Sequence, residues 1–401
     1  MLALRAARLF DGHSGNLVDR PLVLVDGGRI SAVEPAAEPP AGAEVVDLGE
    51  VTLMPGLVDT HVHLGFDASA DPVARMRADD DAALLLRMRL AARRHLAAGV
   101  TTVRDLGDRG YLAVSLRDWF REGHELGPEI LASGPPLTVT GGHCHFMGGQ
   151  ADDEAELRRG VRTRCTRGVD VIKVMVTGGN MTAGIDPLTS QYSQAELAAV
   201  VGESHRFGRA VTAHVHGADG IALAVEAGVD GLEHCGFWVA DGVRADQAVI
   251  DRIAERGITV CPTLGLLPGS PPPPPAVASR IPAMTALFGR MHEAGVRLVG
   301  GTDAGIAPAK PHGIAPYVVD HLVIAGLSAP EALRALTSAG AAACGLTGRK
   351  GVLAAGADAD IIAVPGDPLR EPATLHKVTA VFRGGRRVPL DDPAPAIALT
   401  P

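Results

Sequence analysis

The sequence of 401 residues is poor in aromatic side chains and in cysteine. Phenylalanine, tryptophan and tyrosine together make up 3 % of the chain, so few large rings are available to line a pocket. The five cysteines are an odd number, and none of them forms a CxxC pair. This pattern argues against a disulfide framework and predicts a reduced, cytoplasmic protein.

Long apolar runs and basic clusters are also missing. No stretch of about 18 uninterrupted apolar residues occurs, so the sequence predicts no transmembrane helix. Residues 1–12 carry arginines within their apolar part and lack a small-residue cleavage site, which favours a first strand over a signal peptide. The formal net charge of −9 argues against nucleic acid or an anionic membrane as the partner.

Both ends of the chain carry short apolar runs that Gly, Asp and Pro separate at hairpin spacing. Residues 1–55 show this pattern, and residues 350–390 repeat it, with 377–390 resembling the hairpin-like segment 21–30. Because domain termini often lie close together, we predict one small composite β-sandwich domain from residues 1–55 plus 350–401.

The middle of the chain, residues 56–349, alternates short β-branched runs with helix-like runs. The strand candidates are residues 57–64, 101–107, 129–137, 169–178, 210–217, 231–237, 258–264 and 296–303. Helix signals lie between them, such as the capping-box spacing of Ser193 and Glu196 and the stop at Gly99 after the run 75–99. Eight alternating units predict an α/β fold with a parallel sheet closed as a (β/α)₈ TIM barrel.

Residues 268–280 are rich in proline and follow the seventh strand candidate. They predict a long, stiff loop over the mouth of the barrel. Two interpretations stay open for this loop: it bounds a substrate pocket, or it is a surface excursion without a role.

Side chains able to bind metal ions stand at the carboxyl ends of five predicted strands. They are His61 and His63 on the first strand, Lys173 on the fourth, His214 on the fifth, His234 on the sixth and Asp303 on the eighth. Taken singly, such residues are often structural, and a lysine in an apolar strand can be ion-paired or reach solvent. Together they occupy the end where (β/α)₈ enzymes build active sites. Imidazole and carboxylate-like oxygens suit Zn²⁺ or another divalent first-row ion.

Strand geometry and burial explain how these residues could serve one centre. Residues i and i+2 of a strand face the same side, so His61 and His63 can aim at one ion. Burial of Lys173 would lower its pKa. A neutral lysine can react with CO₂ to give a carbamate, an anionic ligand able to bridge two metals. His216 follows His214 by two residues, just beyond the predicted strand.

The segments that carry these residues resemble the amidohydrolase superfamily, in its binuclear branch with a carboxylated lysine. The segments are PGLVDTHVHL, VDVIKVMVTGG, AHVHG, GLEHC and GTDAG. TGGHCHFMGG at 140–149, QYSQAEL and the pair His312-Gly313 further resemble the imidazolonepropionase-like, Xaa-Pro dipeptidase-like peptidases. The resemblance covers nearly the whole chain.

The resemblance implies two divalent metal ions, with Zn²⁺ the first expectation. In the implied ligand set, a first ion is held by His61, His63 and Asp303, a second by His214 and His234, and both by carboxylated Lys173 and a bridging hydroxide. Asp303 would take the hydroxide proton and deliver it to the leaving amine. Imidazolonepropionases themselves work with one metal and lack the bridging lysine, so Lys173 argues against that activity.

The resemblance also implies the substrate contacts. His143, beside Cys144 in a Gly-rich loop, is expected to act on the substrate carbonyl or carboxylate; local hydrogen bonding of a loop histidine is the alternative. Tyr192 is expected to bind a substrate carboxylate, with a plain surface tyrosine as the alternative. His312 is expected to support the site from behind.

Two further residue pairs are assigned structural roles. Arg104 and Asp105 end the second strand candidate, and we predict an ion pair that orders the following loop. Cys235 adjoins His234 but should turn to the opposite face of the strand, where it packs rather than binds metal.

We therefore predict a metal-dependent hydrolase that cleaves an amide or peptide bond by a metal-bridging hydroxide. The expected substrate is a small molecule with a free carboxylate, such as a dipeptide or an N-acyl amino acid. The alternatives are a hydrolase of a cyclic amide, lactone or imidazolone-type ring, and a non-catalytic binding barrel. The resemblance also suggests a homo-oligomer.

Overall fold

The computed structural model describes residues 1–390, with short strands at both ends and alternating strands and helices between. The strands are β1 (Leu2–Arg5), β2 (Arg8–Phe10), β3 (Leu17–Asp19), β4 (Pro21–Asp26), β5 (Arg29–Pro35), β6 (Glu44–Asp47), β7 (Val51–Pro55), β8 (Leu57–Val62), β9 (Val100–Asp105), β10 (Glu129–Ala132), β11 (Ile172–Met175), β12 (Val211–Gly217), β13 (Gly231–Val239), β14 (Gly242–Val243), β15 (Thr259–Cys261), β16 (Arg297–Leu298), β17 (Ile361–Pro365), β18 (Ala380–Arg383) and β19 (Arg386–Arg387).

The helices lie almost entirely between the strands of the middle region. They are α1 (Pro72–Ala78), α2 (Asp81–Ala97), α3 (Leu112–Arg121), α4 (Glu154–Thr166), α5 (Gln194–Arg206), α6 (Ala218–Ala227), α7 (Gln247–Glu255), α8 (Pro275–Ala278), α9 (Ile281–Glu293), α10 (Val318–Ile324), α11 (Ala329–Ala335) and α12 (Ser338–Ala343). Short 3₁₀ turns occur at His145–Met147, Ala315–Tyr317 and Pro372–His376. Within residues 1–390, no helix has the length and hydropathy needed to cross a membrane.

The two ends of the chain pair with each other. β7 runs parallel to β2 and antiparallel to β17, which gives a sheet of order β19-β18-β17-β7-β2-β3. A second sheet has the order β5-β4-β1-β6. Leu4 and Val23 of the second sheet share one buried apolar cluster with Leu53 and Phe382 of the first. Residues 391–401 of the predicted terminal domain lie outside the described part of the chain.

Eight strands of the middle region, β8 to β13, β15 and β16, each overlap one predicted strand. They form two parallel sheets of order β10-β9-β8 and β11-β12-β13-β15-β16, with β14 added to β13 as a hairpin. Single parallel bridges, Leu137 with Val174 and Val62 with Ala304, connect these sheets. The fold is thus a TIM-barrel-like α/β arrangement, but the described strands do not form the continuous closed ladder that we predicted.

Several strands end earlier than predicted because the chain leaves the ladder at specific residues. β10 ends at Ala132, shortly before Pro135, which has no N–H to donate. After β15 and β16, Thr263 and Asp303 have φ of 53° and 60°. A left-handed residue interrupts regular extended backbone, and Thr263 and Asp303 both line the cavity.

The predicted helix signals are present in the structure, except that one predicted helix is divided into two. The Ser193 side chain and Glu196 form the predicted capping box of α5. The run 75–99 divides into α1 and α2 because the Asp80 carboxylate accepts a hydrogen bond from the Ala83 N–H at 2.8 Å and starts a new helix. The run still ends at Gly99, which has a φ of 86°.

Candidate active site

The carboxyl ends of the parallel strands surround a cavity of about 490 Å³. All six predicted metal ligands line it, and they come from five different strands or strand ends: His61, His63, Lys173, His214, His234 and Asp303. Residues that are up to 242 positions apart in the sequence therefore meet in one place.

A first group of possible ligands contains His61, His63 and Asp303. The Nε2 atoms of His61 and His63 lie 3.3 Å apart, and Asp303 Oδ1 lies 3.4 Å and 3.3 Å from them. Burial would raise the pKa of the Asp303 carboxyl, but the neighbouring His61 and His63 hold it well below its usual range. The group thus presents two imidazole nitrogens and one carboxylate oxygen to a single point.

A second group contains His214, His234 and also His216. His234 Nε2 lies 2.9 Å from His214 Nδ1. The prediction that His216 lies beyond its strand is wrong, because β12 runs through Gly217 and His216 is buried within it. Its ring stacks between those of His234 and Trp238, with centroids 4.5 Å and 4.3 Å away.

Hydrogen bonds on the outer side of each ring fix which nitrogen faces the centre. His61 Nδ1 contacts Glu233 Oε2 at 2.8 Å, and His63 Nδ1 contacts the Gly107 carbonyl at 3.2 Å. His214 Nε2 contacts the Gly178 carbonyl at 3.1 Å. These acceptors require an N–H on the outer nitrogen, so the inner nitrogen carries a lone pair.

The outer nitrogen of His234 is also hydrogen-bonded, in this case to a hydroxyl group. Its Nδ1 lies 2.9 Å from Thr263 Oγ1, which itself donates to the Pro262 carbonyl at 2.8 Å and must therefore accept from the imidazole. Burial lowers the pKa of His61 to about 4 and those of His214 and His234 well below the usual value. The rings of His61, His214 and His234 are therefore neutral, which is the form that binds metal ions.

Glu233 is a site residue that sequence reasoning missed. Its Oε2 accepts from His61, and its Oε1 accepts from Arg104 Nη2 at 3.0 Å and from Thr212 Oγ1 at 2.5 Å. The left-handed φ of 67° at His234 breaks strand alternation, so Glu233 and His234 both face the interior. An ionisable residue within an apolar strand was the available signal, as it was for Lys173.

Arg104 and Asp105 do not form the predicted ion pair, because each of them has other partners around the site. Arg104 pairs with Glu233 and donates to the Thr60 carbonyl at 2.7 Å. Asp105 accepts from the N–H groups of Leu64 and Gly107 at 2.8 Å and 3.1 Å. Successive strand residues point to opposite faces, so neighbours on one strand are poorly placed to pair.

Lys173 is fully buried on β11, and its ammonium nitrogen has no hydrogen-bond partner in the described chain. Burial lowers its pKa. An unpaired buried cation is costly, whereas a neutral amine among metal-ligand side chains is chemically competent to gain an anionic group. The orphaned nitrogen and the ring tautomers together fit a divalent metal centre.

Backbone strain concentrates at this cavity. Of the ten non-glycine residues with positive φ in the described chain, six lie in β13 and in the loops around the site: Cys144, His234, Cys235, Phe237, Thr263 and Asp303. Such conformations cost about 1–3 kcal/mol each and cluster at functional sites. Cys235 itself is buried and belongs to no possible metal-ligand group of the described residues, whereas Cys261 groups with His61 and Glu233.

Only one of the three predicted substrate contacts lines the cavity. His143 does so, its ring centroid 4.5 Å from that of His214, and burial lowers its pKa to about 3. A Cβ atom on Gly179 would lie 2.5 Å from His143 Nε2, so the close packing of the His143 ring against this position needs glycine.

The other two predicted substrate contacts do not line the cavity. Tyr192 is buried away from it and donates its hydroxyl to the Ala151 carbonyl at 2.9 Å. His312 lies behind the site, with Nε2 2.7 Å from the Phe66 carbonyl.

Lys310 is a second cavity residue that sequence reasoning missed. Its ammonium donates to the carbonyls of Thr263 and Thr302, each at 2.7 Å. It thereby ties the end of β15 to the end of β16, next to His234 and Asp303.

Comparison with known proteins agrees with this geometry. Residues 52–388 match the model of the amidohydrolase family. The chain belongs to the amidohydrolase family. It is 31 % identical to the ochratoxinase of Aspergillus niger over 381 residues, which cover 83 % of this chain and 75 % of the relative.

Solved structures place the chain in the same family. A Xaa-Pro dipeptidase with bound methionine superposes with a TM-score of 0.87 at 29 % identity, covering 96 % of this amidohydrolase and 99 % of that chain. The A. niger ochratoxinase structure superposes with a TM-score of 0.81 at 27 % identity, covering 96 % and 95 %. The protein is therefore an enzyme that hydrolyses amide-type C–N bonds of small molecules, in a family that generally uses divalent metals.

Proposed function

We propose that this amidohydrolase is a binuclear metal-dependent amidase acting on N-acyl amino acids or dipeptides. The observation that carries the proposal is the convergence of four imidazoles whose outer nitrogens are all hydrogen-bonded, around the unpartnered Lys173. His61, His63 and Asp303 would hold one ion, and His214 and His234 the other. A carbamate on Lys173 would contribute an oxygen to both, and Zn²⁺ is the ion we propose first.

The ions, when bound, supply Lewis acidity towards a carbonyl oxygen and lower the pKa of a coordinated water. The protein side chains then position the substrate and move protons. Asp303 accepts the proton of the attacking water and passes it to the leaving amine. His143, kept neutral by burial, donates an N–H to the substrate carbonyl oxygen.

We also propose a domain organisation around this site. Residues 56–349 would form the closed (β/α)₈ barrel, and residues 1–55 with 350–401 a β-sandwich domain, supported by the sheet that both chain ends share. We also propose a homo-oligomer that works in the cytoplasm, as the reduced cysteines suggest.

Amine release from N-acyl amino acids and dipeptides tests the proposed activity. We expect hydrolysis by the purified protein, its loss on chelation and its return with Zn²⁺, Mn²⁺ or Co²⁺. His214→Asn should abolish it, whereas His205→Asn, at a half-exposed histidine paired with Asp230, should not. Amide hydrolysis that survives complete metal removal would contradict the proposal. Activity confined to cyclic amides, lactones or imidazolone-type rings would replace it with the ring-hydrolase alternative, and bound metal without any hydrolysis with the binding barrel.

A further inference from the structure

The outer part of the cavity is apolar, in contrast to the ligand-rich floor. We call this part the apolar wall and define it by Trp238 on β13, Pro272 in the proline-rich loop, Val277 on α8, Ile281 and Met284 on α9, and Ile324 at the end of α10. The proline-rich segment thus bounds the cavity, in line with the first of the two interpretations left open above.

The apolar wall offers no free charged partner on its cavity side. The Arg280 guanidinium lies 5.1 Å from the ring centroid of Trp238, but it is outside the cavity lining and donates to the backbone carbonyls of Ala276 and Val239 at 2.7 Å and 2.9 Å. The acidic and lysine side chains that line the cavity, Asp303, Lys310 and Lys173, all lie on its floor. Lys310 is already tied to two backbone carbonyls. A charged or strongly polar group held against the wall would lose its hydration without gaining a partner, which is unfavourable.

Two apolar side chains stand exposed at the rim of this wall. Ile324 is 71 % exposed and Ile281 is 38 % exposed, and they reach the cavity from different helices. A ligand seated on the floor would extend between them and cover them. Their exposure is explained if a bulky apolar part of the substrate occupies this space.

We propose that the substrate carries a large uncharged apolar group, aromatic or branched aliphatic, which seats against the apolar wall while the scissile amide lies on the floor. The inference rests on the proposed amidase function and names its substrate class. A cavity of about 490 Å³ is large enough for a drug-sized molecule. The wall therefore selects for apolar bulk rather than for a charged side chain.

Trp238 gives a binding signal that does not depend on turnover. The chain has two tryptophans, and the other one, Trp119, is half-exposed on α3 and contacts the His124 ring, outside the cavity lining. In a Trp119→Phe background, the fluorescence of Trp238 reports occupancy of the wall. Suitable probes are the ketomethylene analogues of N-benzoylphenylalanine and N-acetylglutamine, which lack the scissile N-acyl bond and each carry one carboxylate.

We expect the benzoylphenylalanine analogue to bind the metal-loaded protein at least about tenfold more tightly than the acetylglutamine analogue. Ile324→Asp should remove most of that difference. Val323→Asp is the matched control, because Val323 is 40 % exposed on the same helix but does not line the cavity. It should leave both dissociation constants unchanged.

Equal affinities for the two analogues would overturn the proposal, as would equal effects of the two aspartate variants. A change of oligomeric state in Ile324→Asp with unchanged binding would also overturn it, because the rim would then be a subunit contact. Binding and hydrolysis are measured separately here. Selective binding without amide hydrolysis would refute the amidase function but support the proposed role of the apolar wall. Hydrolysis without selective binding would support the amidase function and refute the role of the wall.

Discussion

Replacing Glu233 by Gln should disable the metal centre without changing the shape of the side chain. A carboxylate satisfies His61 on one oxygen and Arg104 with Thr212 on the other. An amide has one oxygen and one NH₂ group, so it must turn a donor towards one of them. Facing His61, the NH₂ group would move the imidazole proton to Nε2 and remove the lone pair that points at the centre. Facing Arg104 and Thr212, it would set a donor against two donors. In either orientation the buried guanidinium loses its anion.

The size of the effect on metal affinity and on stability depends on which hydrogen bond of Glu233 is lost. Loss of a carboxylate that orients a ligating histidine typically lowers metal affinity by about 10–100-fold. Breaking a buried pair by removing one charge costs about 3–5 kcal/mol of unfolding free energy. We therefore expect Glu233→Gln to show weaker metal binding, lower stability or both.

Metal affinity by competition with a chromogenic chelator, and stability by urea unfolding, measure these two effects. Glu203→Gln is the control, because Glu203 is equally buried and accepts from Arg162 and Arg206 but lies on α5 outside the cavity. It should leave metal affinity unchanged. If Glu233→Gln matches the wild type in both measurements, the proposed role of Glu233 in fixing the His61 tautomer is refuted.

Two further predictions concern the proposed proton carrier and the junction of the fold. Asp303→Asn should retain metal but lower kcat by at least about 10²-fold; retained turnover in a metal-loaded variant would refute the proton-transfer role. Lys350→Met should lower the unfolding free energy by about 3–5 kcal/mol at pH 7, because buried Lys350 contacts Asp360 at 2.6 Å and Glu129 at 3.2 Å. These contacts help hold the pKa values of both carboxyls below their usual range, so the stabilisation exists above about pH 4.5 and disappears as the pH falls through the lowered pKa values. Urea midpoints of both proteins should therefore converge in acid, and a constant difference from pH 7 to pH 3 would contradict this.

The sequence was sufficient to predict which side chains reach the cavity when strand position alone decides it. His61 and His214 lie in β8 and β12, and His63 and Asp303 follow β8 and β16, so the parallel strands bring these side chains together. The α/β class follows equally from the alternation of strand-like and helix-like runs. Both inferences need only local patterns along the chain.

Contacts that depend on backbone conformation or on distant partners were not predictable in this way. His216 and Glu233 reach the centre where the strands depart from regular geometry: the register of β12 shifts between Val215 and Gly217, and His234 on β13 has a left-handed backbone. Lys310 joins two strand ends through a loop whose path no periodicity describes. Tyr192 carries the hydroxyl group that was expected to bind a substrate carboxylate, but this hydroxyl donates a hydrogen bond to the Ala151 carbonyl. The strands that carry the site end early, so single bridges rather than continuous ladders join the two parallel sheets.

The number of metal ions per chain, in the wild type and in Lys173→Met, tests the central proposal most directly. Lys310→Met serves as the control, since it removes the other lysine of the cavity without touching the proposed bridge. The proposed centre predicts two ions per wild-type chain, at most one in Lys173→Met and two in Lys310→Met. One ion per chain that Lys173→Met leaves unchanged would contradict the bridged centre and favour a mononuclear enzyme.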